Sequence, residues 1–297
     1  MMSLRALMGR IDFVILVLVQ DANPNGDPLN GNRPRETFAG YGELSAESIK
    51  RKIRNRLQDM GERIFVQSDD RADDGCKSLN DRVNATPALK GMVKGKNTDR
   101  DAFAKAACEQ WIDVRSFGQV FAFKSKGKDE DEGKGVSVGV RGPVSLHTAV
   151  SASPIRIVSR QITKSVNGDS SEAGKSSDTM GMRHTVEFGM YVIKGSINCQ
   201  LAEKTGFSEE DAEKIKEALC TLFENDASAA RPAGSMEVAR VYWWQHDSKT
   251  PKCSPAKVFR SVQIGLKDGV IEPKSFEDYD IELGELEGVE PEVIDLL

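Results

Sequence analysis

Two aspartates stand where chemistry is most easily placed. Asp21 and Asp27 bracket the turn-rich run Ala22-Asn23-Pro24-Asn25-Gly26, directly after an apolar stretch. A loop carboxylate has the chemistry of a metal ligand or a general acid. Neither aspartate, however, has a partner at a recognised motif spacing. The three histidines, His147, His184 and His246, have no metal-ligand partner three or four residues on, so each reads as a polar surface or boundary residue. The five cysteines form no C-x-x-C pair and are odd in number, which argues against a zinc cluster or a disulfide framework. No metal, no cofactor and a reducing cytoplasmic setting are expected. Residues 168–176 come near a phosphate-binding loop, but five residues instead of four separate Gly168 from Gly174-Lys175-Ser176, and no buried strand leads in.

Binding offers more than catalysis. Residues 31–56 hold seven basic and three acidic side chains. On a helix, Lys50, Arg54 and Arg51 fall about 100°, 140° and 200° around the axis from Ile49, a continuous basic stripe beside an apolar face. Such a stripe suits a phosphate chain held without base reading. Arg33 and Arg35 sit just upstream, where loop and helix can grip one backbone from two sides. Asn25 lies in a turn that brings backbone amides close to a ligand. Arg183 and His184, at a predicted hairpin, are further contacts. Tyr242-Trp243-Trp244 could stack bases, yet neighbours on a strand point to opposite faces, so core or subunit contact is the better reading.

These groups need a scaffold. Residues 11–20 read as a strand buried on both faces, interrupted only by Asp12 and too short to cross a bilayer. A helix follows over residues 45–60, capped by Ser45, its apolar side made by Ile49, Ile53, Leu57 and Met60. Residues 66–110 read as a finger-like insertion with a helix near its end, and residues 124–135 as a charge-rich exposed loop. Strands are expected at 136–141, 155–165, 182–197 and 257–266. Between the middle two lies a glycine- and serine-rich tip. Residues 208–223 form a helix with Ser208 and Asp211 as a capping box. The net charge of −5 hides an asymmetry: residues 268–297 carry eleven acidic residues and one basic, so the first 267 carry +5. The acidic stretch reads as a solvated tail, or as a filler for a neighbour's basic groove. The order suits a single α+β domain, a ferredoxin-like or RRM-like palm with an open sheet, large insertions and a hairpin arm.

Several segments in this order resemble the type I-C branch of the Cas-seven superfamily, the backbone proteins of CRISPR Cascade complexes. They are residues 20–28 (QDANPNGDP), 31–35 (GNRPR), 49–55 (IKRKIRN), 113–118 (DVRSFG), 142–144 (GPV) and 179–184 (TMGMRH). The resemblance covers roughly residues 10–200. It implies a hand-like protein with a palm (strand, loop and basic helix at 10–60), fingers, and a thumb at 155–184. Copies would stack head to tail along one CRISPR guide RNA, each thumb crossing the strand at regular intervals. The implied RNA contacts are Asn25, Arg33, Arg35, Lys50, Arg51, Arg54, Arg183 and His184. Implied partners are the guide RNA, a target DNA strand paired to it, and guide-processing, large and small Cascade subunits, with no membrane. The resemblance implies no catalysis. The alternative is a metal-assisted endoribonuclease of the same superfamily using Asp21 or Asp27, and a further rival is an interaction protein without nucleic acid.

Overall fold

The computed structural model describes residues 5–93, 97–123, 136–163 and 180–297. The 124–135 tract, the glycine- and serine-rich tip expected between the two middle strands and the near-miss phosphate loop lie outside the described residues. In chain order the elements are β1 (Ile11–Ala22), β2 (Gly26–Asp27), β3 (Arg33–Pro34), β4 (Tyr41–Leu44), α1 (Ala46–Asp59), α2 (Leu79–Ala85), α3 (Arg100–Gln110) and α4 (Ile112–Phe117). There follow β5 (Gln119–Phe123), β6 (Val136–Val140), β7 (Val144–Leu146), β8 (Ala149–Pro154), β9 (Ile157–Thr163) and β10 (Met180–Ile197). The chain ends with α5 (Cys199–Thr205), α6 (Glu209–Cys220), β11 (Met236–Gln245), α7 (Pro255–Ser261), β12 (Val262–Leu266), β13 (Tyr279–Leu283) and β14 (Glu292–Asp295).

The main sheet is antiparallel, in the order β14-β11-β1-β10-β8-β4, with β7 and β9 also paired to β10. β1 sits at its centre, Ile15 lying between Ile193 of β10 and Val241 of β11. Phe13, Ile15, Val17 and Val19 join the core beneath α1 and α6, while Val14, Leu16 and Leu18 join a second core beneath α7, β12 and β13. A strand dry on both faces shows no alternation, which is why β1 reads as one apolar run. Asp12 is tolerated inside it because Arg10 Nη2 (2.7 Å) and His246 Nε2 (2.9 Å) meet its carboxylate. His246 is therefore buried rather than at the surface as expected, since a buried charge must be paired.

The expectation of an open sheet is corrected by the second core. Residues 253–289 cover that face, with Val258, Phe259, Val262 and Tyr279 against the sheet. Trp243 and Trp244 are both buried, one in each core, so neither is free to stack on a base. The acidic C-terminal stretch keeps most of its charged side chains exposed, but it is not without structure. β13 pairs with β12, and β14 adds to the sheet edge beside β11, with Val241 opposite Ile294. Acidic side chains on an edge strand keep its outer side soluble while alternate residues pack. The strand expected over 257–266 divides into α7 and β12: Pro255 opens a helix whose cap, Ser254, accepts from the Lys257 N–H at 3.3 Å.

α1 and α6 match their caps. Ser45 Oγ accepts from the Ser48 N–H (3.2 Å), and Ser208 and Asp211 form a reciprocal capping box. A third core, holding Phe65, Val83, Phe103, Trp111, Phe121 and Val138, draws on a wider stretch than the insertion expected at 66–110. Two of the short sequence blocks lock this unit to the sheet. Gly118 has φ +79, and a Cβ there would strike the backbone of Val140 and Gly142; a Cβ on Gly142 would strike that of Ser116 and Gly118. Arg115 holds Asp211 with two hydrogen bonds, 2.9 and 2.7 Å. Among the described residues no helix is long and apolar enough to cross a membrane.

Candidate nucleic-acid interface

The loop between β1 and β4 is built by its own polar side chains. Asn23 is buried and donates its amide to the Asn32 carbonyl at 2.6 Å. Gly31 and Asn32 take left-handed φ values of 58° and 57°, turning β2 back onto β3. Asn25 Oδ1 accepts from the Ser45 N–H (2.9 Å), and its carbonyl accepts from the Arg35 N–H (3.0 Å). Asn25 thus ties the loop to the start of α1. Its side-chain oxygen is committed to that tie, so its role in the free protein is positioning.

Arg35 lies 3.5 Å from Asp27, and its Nε is buried with no hydrogen-bond partner. Arg33 reaches the base of the β9–β10 hairpin. Its Nη1 lies 3.1 Å from Ser159 Oγ and 3.2 Å from His184 Nδ1, and Ser159 Oγ is 2.8 Å from the same ring nitrogen. A guanidinium only donates, so His184 Nδ1 accepts and its Nε2 carries the proton. Arg183 sits on the opposite side of β10, directly across from Arg160 of β9.

The stripe on α1 is less free than its spacing implies. Arg54 Nε donates to Asp113 Oδ2 at 2.9 Å, and Asp113 is fully buried, also accepting from the Phe65 (2.7 Å) and Val66 (3.1 Å) N–H groups. Arg51 donates to the Val66 carbonyl at 2.6 Å. Burial, and then the neighbouring Arg54 charge, lower the Arg51 pKa from its ordinary value. Lys52 is buried against Asp226, and Arg56 pairs with Glu224 at 3.0 Å. Lys50 and Arg54 share the Phe117 ring, at 6.0 and 5.0 Å from its centroid. Lys50 has no carboxylate partner among the described residues. Arg54, by contrast, clamps the finger unit to the helix.

The expected contacts therefore form two groups. Asn25 and Arg35 belong to the loop tied to the start of α1, with the basic side chains of α1 further along the helix, while Arg33 and His184 meet on one side of the hairpin base and Arg183 lies on the other. Arg160 belongs to the second group and was missed by the sequence reading. Its signal was faint: one charge in the alternating strand Ile157–Thr163. Asp21, with φ +50, lies 3.3 Å from Arg160. Among the described residues no group of three or more His, Cys, Asp or Glu side chains is placed to hold a metal.

A mixed helix and sheet fold with a central antiparallel sheet is the class of fold this chain shares with a chain of a solved "CRISPR RNA-guided surveillance complex, pre-nicking". The TM-score is 0.50 at 16% identity, over 88% of this chain and 84% of the other. At that identity the likeness concerns the fold alone. The family is shown by sequence: the model for CRISPR-associated protein Cas7 matches residues 9–284, and the chain belongs to that family. A curated relative, the CRISPR-associated protein Cas7 of Haloferax volcanii (strain ATCC 29605 / DSM 3757), is 26% identical over 241 residues, 76% of this chain and 68% of the relative.

Proposed function

We propose that this chain is the guide-RNA-binding backbone subunit of a type I-C Cascade complex, a non-catalytic protein that stacks head to tail along CRISPR RNA in the cytoplasm. The palm is ferredoxin-like: β1, α1, β8, β10, α6 and β11 run in that chain order, and the four strands lie as β11-β1-β10-β8. Residues 155–184 are the thumb and the Phe65–Val138 unit the fingers. The observation that carries the reading is Arg33. It spans from the loop that fixes the start of α1 to Ser159 and His184 at the thumb base, so loop and thumb present one surface. Along that surface Lys50, Arg35 and Arg33 supply cations for phosphates, with Arg183 on the other side of the hairpin base, while base pairing with a target DNA strand reads the sequence. Heterologous contacts that do not close a ring extend such units into a helical filament. Guide-processing, large and small subunits complete the assembly.

The experiment is a ribonuclease footprint of the assembly co-expressed with a CRISPR array and its neighbouring subunits. A protected guide-length RNA cut at a regular step is expected. Folded chain recovered from a competent assembly without RNA would remove the reading. Regular cuts in a bound target RNA that disappear in Asp21→Ala would establish the ribonuclease instead.

A further inference from the structure

Arg160 and Arg183 are directly opposed across the β9–β10 pair, which puts both guanidinium groups on one side of the hairpin base. Like charges directly opposite one another destabilise a sheet unless something neutralises them. Among the described residues one carboxylate does so. Asp21 Oδ1 lies 3.3 Å from Arg160 Nη2 and 3.4 Å from Nη1, and Thr185 Oγ1 is 3.2 Å from the same Nη1. Arg183 has a buried Nε with no hydrogen-bond partner and no ion pair among the described residues. Among the described residues the set Asp21, Arg160, Arg183 is therefore one negative charge short. The Asp21–Arg160 pair is itself more than half exposed on both sides, so it is screened and readily displaced. Asp21 holds its carboxylate there from a left-handed backbone, φ +50, at the very end of β1.

We propose that Arg160 and Arg183 form a phosphate site on the thumb base, on the side of the hairpin opposite His184 and Ser159, and that Asp21 masks it until a nucleic-acid phosphate takes its place. The inference rests on the guide-binding reading and adds to it a gripping pair and a competing carboxylate. Asp21 acts here as an electrostatic placeholder. It holds Arg160 extended while no phosphate is bound, and its repulsion weakens the hold on any phosphate that enters. Stray anions are held loosely, whereas an RNA anchored elsewhere along the surface displaces the carboxylate at little added cost.

The test is fluorescence anisotropy with labelled single-stranded RNA of guide length, titrated into the full chain at several salt concentrations. Arg160→Ala and Arg183→Ala are each expected to lower the slope of log affinity against log salt by about 0.7. Asp21→Asn, isosteric and on an exposed side chain, is expected to tighten binding by about threefold at low salt, the effect of removing one charge some 6 Å from a phosphate in water. That gain should vanish in the Asp21→Asn/Arg160→Ala double variant. Binding by the wild-type chain with all these variants unchanged would overturn the masked site and leave the guide-binding reading intact. Weaker binding by Asp21→Asn would overturn the masking. No binding by the wild type would overturn both. Thermal melts matching the wild type exclude misfolding as the cause of any loss.

Discussion

Asp113→Ala tests whether the finger unit hangs on one buried carboxylate. Asp113 has no exposed surface and accepts three hydrogen bonds: Phe65 N–H at 2.7 Å, Val66 N–H at 3.1 Å and Arg54 Nε at 2.9 Å. Removing one member of a buried ion pair costs about 3–5 kcal/mol, because the other charge stays buried. Each of the two orphaned N–H groups adds about 1–3 kcal/mol unless water reaches it. The arginine is partly exposed and can swing toward solvent, which offsets part of this, so the expected loss is about 4 kcal/mol. At about 2–4 °C per kcal/mol for a chain approaching this size, the melting temperature should fall by roughly 10 °C. Urea denaturation followed by circular dichroism reads the loss directly. Arg54→Met/Asp113→Asn should be less damaging than the sum of its single changes, since no charge is left buried. A single-variant loss below about 1 kcal/mol, or strict additivity, would refute the assignment.

Four further outcomes are expected. Lys50→Ala should leave the melting temperature unchanged and lower the salt slope of RNA binding by about 0.7; Arg54 is unsuited to that test because it also holds Asp113. Gly118→Ala should cost more than about 1 kcal/mol in urea, since φ +79 strains any side chain and the backbone of Val140 and Gly142 leaves no room for one. Deleting residues 289–297 removes β14 and bares the edge of β11, so gel filtration should show association where the full chain runs as a discrete species. The hydrogen bond from Arg82 holds the Asp74 carboxyl down to about 2, below its ordinary value. Its stabilising contribution is thus complete above about pH 4 and disappears as pH falls from there toward 2. Hydrogen exchange at α2 should show that acid loss, and Asp74→Asn should remove this part of it.

Much of the palm was legible because it is local. β1 is a run of apolar residues, and α1 and α6 carry both an apolar face and a side-chain cap at the predicted residue. The strands Ile157–Thr163 and Met180–Ile197 were found to within a few residues. What failed was anything set by distant partners. His246 gave no sign of being buried, because the Asp12 and Arg10 that demand it lie more than 230 residues away. The acidic C-terminal segment, solvated as its polar composition implies, gave no sign of its strands, yet Val293 and Ile294 complete an edge that only the assembled sheet offers. A second face covered by residues 253–289 turned an expected RNA platform into core.

The short blocks that carry the family resemblance divide in the same way. Asp113-Val114-Arg115-Ser116-Phe117-Gly118 was read only as part of the resemblance and proves to be a joint: Asp113 to α1, Arg115 to α6, Phe117 under two cations, Gly118 against Gly142. The basic stripe on α1 was correct in its angles, but spacing cannot tell a free cation from one already spent on a buried carboxylate.

By itself, the sequence determined β1, the helices α1 and α6 with their caps, the charge asymmetry and the family, because these depend on neighbours a few residues apart or on order along the chain. Only the tertiary structure decided which charges remain available. Electrostatic pairing and burial depend on distance in space, and strands far apart in sequence bring Asp21 to Arg160, Arg33 to His184 and Arg54 to Asp113.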